Sequence, residues 1–264
     1  MFCGMEDYPR TLREFEARFS TEQACAEYLF GLRWPDGFVC SDCGNHGGWS
    51  ARDGKVICKV CRCRTTVTAG TIFQDTHQPL TLWFRAMWWV TNQKIGLSAL
   101  GLQRLLGLGS YRTAWTMLHK LRCAMVRPGR DRLTGRVEVD EAYIGGLEKG
   151  VHGRETEKKA LIVVAAEEDG NGIGRIRLAR AADASAASLH PFIEASVELG
   201  SAIHTDDWTG YQGLEAKGYS HVVIPIKKSG KPAHELLPRV HRVVSLLKRW
   251  LLGTHQGAIS HEHL

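Results

Sequence analysis

The chain has 264 residues, enough for two or three small domains, and is 44% hydrophobic and 23% charged. This balance is typical of a soluble globular protein and excludes wholesale disorder. The longest uncharged apolar run, residues 160–166, is far too short to cross a bilayer. The first residues have neither the basic region nor the apolar stretch of a signal peptide. We therefore expect neither membrane insertion nor secretion.

The net charge of +6 is unevenly distributed along the chain. Residues 55–135 carry 13 basic side chains against two acidic ones, Asp75 and Asp131, which gives this segment a net charge of +11. Each Lys or Arg in such a segment can replace a counterion condensed on a phosphate backbone. A basic middle third therefore favours a nucleic-acid partner. A solvated basic surface is the alternative, because it gives the same charge count.

The first predicted element is a helix over residues 22–33, inside an N-terminal helical segment (1–34). Residues 35–75 follow with five of the eight cysteines, four of them in the spacing Cys-x2-Cys-x14-Cys-x2-Cys. Two such turns present four thiolates to one point, the tetrahedral set that Zn²⁺ prefers. The predicted zinc ligands are Cys40, Cys43, Cys58 and Cys61.

Between the two cysteine pairs, Asp53-Gly54 is typical of a two-residue hairpin turn, so this segment is predicted to be a zinc ribbon. Cys63 and His46 are alternative ligands. A thioredoxin-like redox pair is the competing interpretation, but such motifs occur singly and within a βαβ unit. Reduced, zinc-bound thiols also indicate the cytoplasm.

Residues 76–126 are predicted to be helical. An apolar helix begins at Pro79 and runs to about Asn92. Two shorter helices follow. One is capped by Ser98 and ended by Gly107, and the other is capped by Ser110 and runs to about Met125. In this last helix an apolar stripe is expected to face inward, formed by Ala114, Trp115, Leu118, Leu121 and Met125.

The last two helices, joined by a Gly-Leu-Gly turn, match a helix-turn-helix whose second helix enters the major groove of double-stranded DNA. A helical hairpin with a solvated face is the alternative. The basic segment and the zinc ribbon favour DNA contact. The predicted DNA-binding side chains are Arg104, Arg112, Thr113, Thr116, His119 and Lys120.

After a linker (127–135), residues 136–264 are predicted to form a mixed α/β domain. Strands are expected at 136–143, 160–166, 173–179, 202–207 and 221–226, with helices within 185–199 and over 238–252. Pro191 is expected to limit where the first of these helices begins, and Pro225 to put the last strand at an edge. This order is that of an RNase-H-like sheet with flanking helices.

In that architecture the first and fourth strands are neighbours, which brings Asp140 and Asp206 together. Two carboxylates on adjacent strands can hold two Mg²⁺ ions for phosphoryl transfer. Either residue alone would more simply be read as a turn or capping residue.

Several segments resemble bacterial insertion-sequence transposases that carry a zinc ribbon ahead of a DDE-type catalytic domain. These segments are the two cysteine pairs and residues 68–73, 97–107, 113–115, 137–146 and 205–211. The last two resemble the first and second catalytic-acid motifs, which implies that Asp140 and Asp206 are metal ligands. The resemblance also implies a bacterial, nucleoid-associated protein that acts as a homo-oligomer, with a catalytic domain shortened at its C-terminus.

The third catalytic position departs from the usual pattern, because residues 237–250 contain no carboxylate. The resemblance implies His241 as the third ligand of Mg²⁺ or Mn²⁺, followed seven residues later by Lys248 on the same helix face. Neutral imidazole can ligate a divalent ion, although Mg²⁺ prefers oxygen. Glu235, the nearest acid, is the alternative third ligand.

The resemblance implies a transposase that cuts element ends and joins them to target DNA. Two alternatives stay open: a transcription regulator with a zinc ribbon and a helix-turn-helix, and an RNase-H-like nuclease that cuts without joining.

Overall fold

The computed structural model describes residues 8–126, 129–145 and 159–256. These residues divide into two compact units, one of residues 8–92 and 99–126, the other of residues 93–98, 129–145 and 159–256. Among the helices of these ranges, none has the length and apolarity needed to span a bilayer.

The first unit begins with two helices, α1 (Leu12–Arg18) and α2 (Glu22–Arg33). The bounds of α2 match the prediction. Helix α1 was not predicted, although Thr11 and Glu14 form a capping box that starts it. The two helices pack on α3 through a cluster of buried aromatic and apolar residues, Phe15, Phe19, Cys25, Phe84 and Trp88.

The predicted hairpin is present as part of a small antiparallel sheet, β1 (Gly48–Ser50), β2 (Val56–Cys58) and β3 (Arg64–Thr65). The predicted two-residue turn is wrong, because Ser50 pairs with Val56 and residues 51–55 form the connection. Gly54 in the turn has a φ of 75°, a conformation that glycine adopts without strain. Strand β3 has only two residues, too few for a readable alternation, and was not predicted.

Three helices complete this unit: α3 (Leu80–Asn92), α4 (Ala99–Leu106) and α5 (Tyr111–Ala124). Gly107 ends α4 with a φ of 64°, as predicted. The predicted inward stripe of α5 is partly wrong, because Trp115 is 48% exposed and Met125 55%. The buried side consists of Ala114, Met117, Leu118 and Leu121, which recur at the three- and four-residue spacing of one helix face.

The second unit is a five-stranded mixed sheet in the order β6-β5-β4-β7-β8. Its strands are β4 (Arg136–Ile144), β5 (Ala160–Asp169), β6 (Gly172–Ala181), β7 (Ala202–Thr205) and β8 (Ser220–Val223). Strands β4, β5 and β6 are antiparallel neighbours, whereas β7 and β8 run parallel to β4. The predicted mixed α/β fold is confirmed, with the first and fourth strands of this sheet side by side.

Helices cover both faces of this sheet. On one face Val137, Val139 and Ile203 pack with α6 (Ala186–Ser196). On the other face Val164 and Ala166 pack with α9 (Pro238–His255). Asp140 pairs with Val164, and Glu138 pairs with Ala166, so both acids lie on the face that α9 covers.

Two local expectations in this unit were wrong. Pro191 lies inside α6 rather than at its start. The missing N–H of Pro191 costs one helical hydrogen bond, but Leu189 and Ile193 are fully buried beside it and hold the helix on the sheet. Strand β8 ends at Val223, before the short helices α7 (Ile226–Ser229) and α8 (Ala233–Leu236). Its place at the edge of the sheet agrees with the prediction.

Candidate active site and metal centre

The four predicted zinc ligands converge at one point in the first unit. The Sγ atoms of Cys40, Cys43, Cys58 and Cys61 all lie within 4.8 Å of one another. Cys40 Sγ is 3.5 Å from Cys61 Sγ, and Cys43 Sγ is 3.6 Å from Cys58 Sγ. The set fits a tetrahedral metal site with soft ligands. Within the described residues, neither Cys63 nor His46 belongs to this group.

Hydrogen bonds within the cluster make its thiols unequal in acidity. The backbone of Cys63 lowers the pKa of the Cys61 thiol, but the hydrogen bond with Cys43 and burial outweigh this and raise that pKa to about 12. The side-chain amide of Asn45 lies 3.5 Å from Cys43 Sγ, and its hydrogen bond lowers the pKa of the Cys43 thiol to about 6. A thiol with that pKa is mostly thiolate at neutral pH, and thiolate is the form that binds metal. Cys43 is therefore readily available as a thiolate, and the geometry of the four Sγ atoms positions the set to bind a metal ion.

In the second unit, the parallel pairing of β4 with β7 determines where the two acids lie. Glu138 pairs with His204, an offset of 66 residues, and Asp206 lies 66 residues beyond Asp140. Continuing this register by two residues beyond the Glu138–His204 pair, which is one residue past the end of β7, would bring Asp140 and Asp206 level. Each acid also accepts a local backbone hydrogen bond, Asp140 from Glu141 N–H at 2.8 Å and Asp206 from Trp208 N–H at 3.1 Å.

His241 projects from α9 towards the same place. Its Nε2 is 3.6 Å from Asp140 Oδ2 and is buried without a hydrogen-bond partner among the described residues. Burial lowers the pKa of His241, and the nearby His234 and Lys248 lower it further. The imidazole is therefore neutral at pH 7, the form in which histidine ligates a metal.

The side chains of Asp140, Asp206 and His241 are less tightly grouped than the four cysteines. In the described part of the chain, only the cysteine cluster brings three or more potential ligands within 4.8 Å of one another. Two further residues that the sequence analysis assigned to this site are exposed. These are Lys248 on α9, a predicted catalytic residue, and Glu235 on α8, the alternative third ligand.

Tyr211 is a fully buried residue beside the acids that the sequence did not single out. Its hydroxyl donates to Glu141 Oε2 at 2.6 Å. Burial raises the pKa of Tyr211 well above its usual value, and the charges of Glu141, Asp140 and Asp206 raise it further. The Tyr211 hydroxyl therefore lies close enough to interact electrostatically with all three carboxylates. Its position at the end of the motif 205–211 was the only available signal.

Replacing Tyr211 with Phe should lower the free energy of unfolding by about 1.5–3 kcal/mol, because a buried hydrogen bond to a charged group is lost. Tyr219→Phe is the matched control, since that hydroxyl donates to the neutral Val197 carbonyl at 3.3 Å and should cost about 1 kcal/mol. Urea unfolding at pH 7 measures both. If the two variants lost the same free energy of unfolding, the Tyr211–Glu141 hydrogen bond would stabilise the fold no more than an ordinary neutral one.

A second buried contact supports the strand end that carries Asp206. The Thr205 hydroxyl donates to the Asp206 carbonyl at 2.7 Å and lies 2.9 Å from His221 Nε2. His221 Nδ1 is in turn 3.4 Å from Glu215. These contacts tie the loop after β7 to β8 and so restrict the backbone of Asp206.

Most of the predicted DNA-binding side chains are available at the surface of the first unit. Exposed residues are Arg104 on α4 and Arg112, Thr116 and His119 on α5, whereas Thr113 is half-buried. Lys120 differs, because its Nζ donates to the Gln74 carbonyl at 3.3 Å. The exposed Trp115 ring lies against the His119 ring, with ring centroids 3.8 Å apart and the ring planes tilted by 35°.

Comparison with known proteins shows which family the chain matches. Residues 132–264 match the ISXO2-like transposase domain, and residues 20–66 match the transposase zinc-ribbon domain. An uncharacterized protein in the transposable element ISH50 of Halobacterium salinarum is 28% identical over 145 residues, 53% of this chain and 47% of the relative. The chain thus spans about half the length of the curated relative it matches.

Among solved structures, a simian T-cell lymphotropic virus intasome in complex with the PP2A regulatory subunit B56 gamma is 15% identical. The match covers 63% of this chain and 57% of that chain, with a TM-score of 0.28, and at that score it carries no argument. The family match is decisive, because the first domain model covers half of the chain. The chain belongs to the transposases with an ISXO2-like transposase domain.

Proposed function

We propose that the protein binds the ends of an insertion sequence, cuts them and joins them to target DNA. The observation that carries this proposal is the parallel pairing of β4 with β7 up to Glu138 and His204. The same register, continued by two residues, would bring Asp206 level with Asp140, whose carboxylate lies 3.6 Å from His241. A transcription regulator needs no such arrangement of two carboxylates and an imidazole.

The donor set of the candidate active site fits a divalent cation. Carboxylate oxygens are the preferred ligands of Mg²⁺ and Mn²⁺, and the neutral imidazole of His241 is an acceptable third ligand. Bound cations would supply charge stabilisation for the attacking and leaving oxygens. Asp140, Asp206 and His241 would hold them, while exposed Lys248 would contact a DNA phosphate.

The reaction needs no covalent bond between the enzyme and DNA. In the first step water attacks the phosphodiester at the element end, which breaks the bond to the 3′ oxygen and leaves a 3′-hydroxyl. In the second step this hydroxyl attacks a target phosphodiester, so that one P–O bond forms and one breaks. The protein's task is to align these groups and to stabilise the developing charge.

We assign Zn²⁺ to the cysteine cluster, as a structural ion. The exposed basic face of α4 and α5 would contact double-stranded DNA. Joining two ends requires two active sites near each other, so we expect a homo-oligomer. Such a protein would act on the bacterial nucleoid in the cytoplasm.

The proposal is tested with the zinc-loaded full chain, labelled element ends, Mg²⁺ or Mn²⁺, and a target plasmid. Joined products support transposition. Cut ends without joining support a nuclease, and binding without either product supports a regulator. Element ends come from the inverted repeats of the flanking DNA.

Arg112→Ala should weaken DNA binding and reduce the slope of log affinity against log salt by about one, if this side chain neutralises a phosphate. Arg13→Ala on α1 is the control, because Arg13 is also exposed in this unit but lies outside the basic segment. Fluorescence anisotropy over a range of salt concentrations measures both slopes. Identical slopes for the two variants would remove Arg112 from the DNA interface.

A further inference from the structure

Glu138 is a carboxylate buried between the sheet and α9, with 1% of its surface exposed. Its Oε2 accepts hydrogen bonds from the backbone N–H groups of Arg239 at 2.7 Å and Val240 at 3.1 Å. Its Oε1 accepts from the Arg239 guanidinium at 2.9 Å. A buried charge is tolerated when it is paired and hydrogen-bonded in this way. Both oxygens are therefore engaged by α9.

The start of α9 depends on this carboxylate. The N-cap residue Leu237 makes no side-chain capping bond, and Pro238 has no N–H to satisfy. The N–H of His241 donates to the Leu237 carbonyl at 3.3 Å. Only the N–H groups of Arg239 and Val240 then need partners in the first turn, and Glu138 supplies both. A carboxylate at a helix N-terminus is also favoured by the helix dipole.

Arg239 extends this attachment from β4 to two further strands, β5 and β6. Its Nε donates to the carbonyl of Gly172, the first residue of β6, at 3.0 Å, and its Nη2 donates to the carbonyl of Gly170 in the β5–β6 turn at 2.9 Å. Its Nη2 also lies 3.1 Å from Glu168 Oε1. The first turn of α9 is thus fixed to β4, β5 and β6 at once.

The spacing of these residues links the attachment to the candidate active site. Glu138 lies two residues before Asp140 on β4, and Arg239 lies two residues before His241 on α9. A helix held at Arg239 therefore places His241 at its 3.6 Å separation from Asp140. A slip of α9 by one turn would move His241 by about 5.4 Å and separate the two side chains.

We propose that Glu138 is a positioning residue, which caps α9 and holds His241 opposite Asp140. This inference rests on the proposed function, because it gives those two side chains a shared task. The competing interpretation is that Glu138 replaces the carboxylate that α9 lacks. Its burial and its three N–H donors oppose that role, since a metal would have to displace them.

The test compares Glu138→Gln with Glu167→Gln in the zinc-loaded full chain. Glu167 is the matched control, because its carboxylate also pairs with an arginine, Arg175, and accepts backbone hydrogen bonds, whereas none of its hydrogen bonds among the described residues comes from α9. Three quantities are measured: Mn²⁺ affinity by calorimetry, cleavage kcat and KM, and hydrogen exchange of the amides at 239 and 240. All are compared at a temperature where both variants are folded.

For Glu138→Gln we expect faster exchange at the start of α9, Mn²⁺ affinity and kcat each reduced about 10–100-fold, and unchanged KM for DNA. Glu167→Gln should retain all three. If Glu138→Gln does not fold, Arg239→Gln tests the same attachment, because it removes the guanidinium contacts and leaves the backbone donors in place. It should change the three quantities in the same direction.

Two results would overturn the inference. In the first, Glu138→Gln shows faster amide exchange at 239 and 240, while its Mn²⁺ affinity and kcat equal those of the control. The cap would then be merely structural. Lost Mn²⁺ affinity with unchanged exchange would make Glu138 a ligand. A wild-type protein that neither binds Mn²⁺ nor cuts DNA would instead refute the proposed function, and the positioning role would fall with it.

Discussion

Replacing Asp140 with Asn should reduce DNA cleavage and joining by at least about 10³-fold, equivalent to roughly 4 kcal/mol of transition-state stabilisation. The amide has the shape of the carboxylate, so packing against Val164 should be retained. It lacks the negative charge that a divalent cation requires from this position. DNA binding, which we assign to the first unit, should change little.

Asp207→Asn is the matched control for this experiment. Asp207 is adjacent to the second candidate acid but exposed, and should tolerate the change. Initial rates of cleavage are measured for both variants with the same labelled element ends, together with affinity for that DNA. Cleavage by Asp140→Asn within a few-fold of the Asp207→Asn rate would remove Asp140 from the active site.

The parts of the fold that could be predicted are those that local patterns determine. The cysteine spacing, the hairpin turn at Gly54 and the helix ending at Gly107 each depend on a few neighbouring residues. The alternation of Val137 and Val139 with Glu138 and Asp140 likewise determines which face each side chain occupies, once one face is buried. The DDE-type motif then indicated which acids to compare.

The contacts that could not be predicted join residues far apart in the chain. Glu138 and Arg239 are separated by 101 residues, and Glu141 and Tyr211 by 70. No pattern within β4 distinguishes Glu138, which accepts hydrogen bonds from a helix N-terminus, from Asp140, which we propose as a metal ligand. Their roles depend on which neighbour covers each face, which only the three-dimensional arrangement supplies.

The misplacement of Trp115 has a different cause. Because Trp is usually buried, residue type alone predicted that the Trp115 side chain of α5 would face the core. The buried side instead includes Met117, and the indole lies exposed on the helix that we propose contacts DNA.

Replacing Cys58 with Ser should unfold the zinc ribbon, because a structural Zn²⁺ of the kind that we assign to this cluster contributes on the order of 10 kcal/mol to such small domains. The ribbon has strands of two or three residues and a small core that includes Trp34, Phe38 and Val56. A sheet of that size is at best marginally stable without a further constraint. Cys58 is fully buried, so the change also removes a ligand from the centre of the cluster.

Metal content and hydrogen exchange of the ribbon amides measure this effect, with Cys123→Ser as the control. Cys123 lies exposed on α5 of the same unit and outside the cysteine cluster. We expect one equivalent of Zn²⁺ and a protected ribbon in the control, and neither in Cys58→Ser. The sheet of the second unit should stay protected in both, because its core is built from β4 to β8, α6 and α9. A Cys58→Ser protein that keeps its zinc and its protected ribbon would show that a different thiol completes the site.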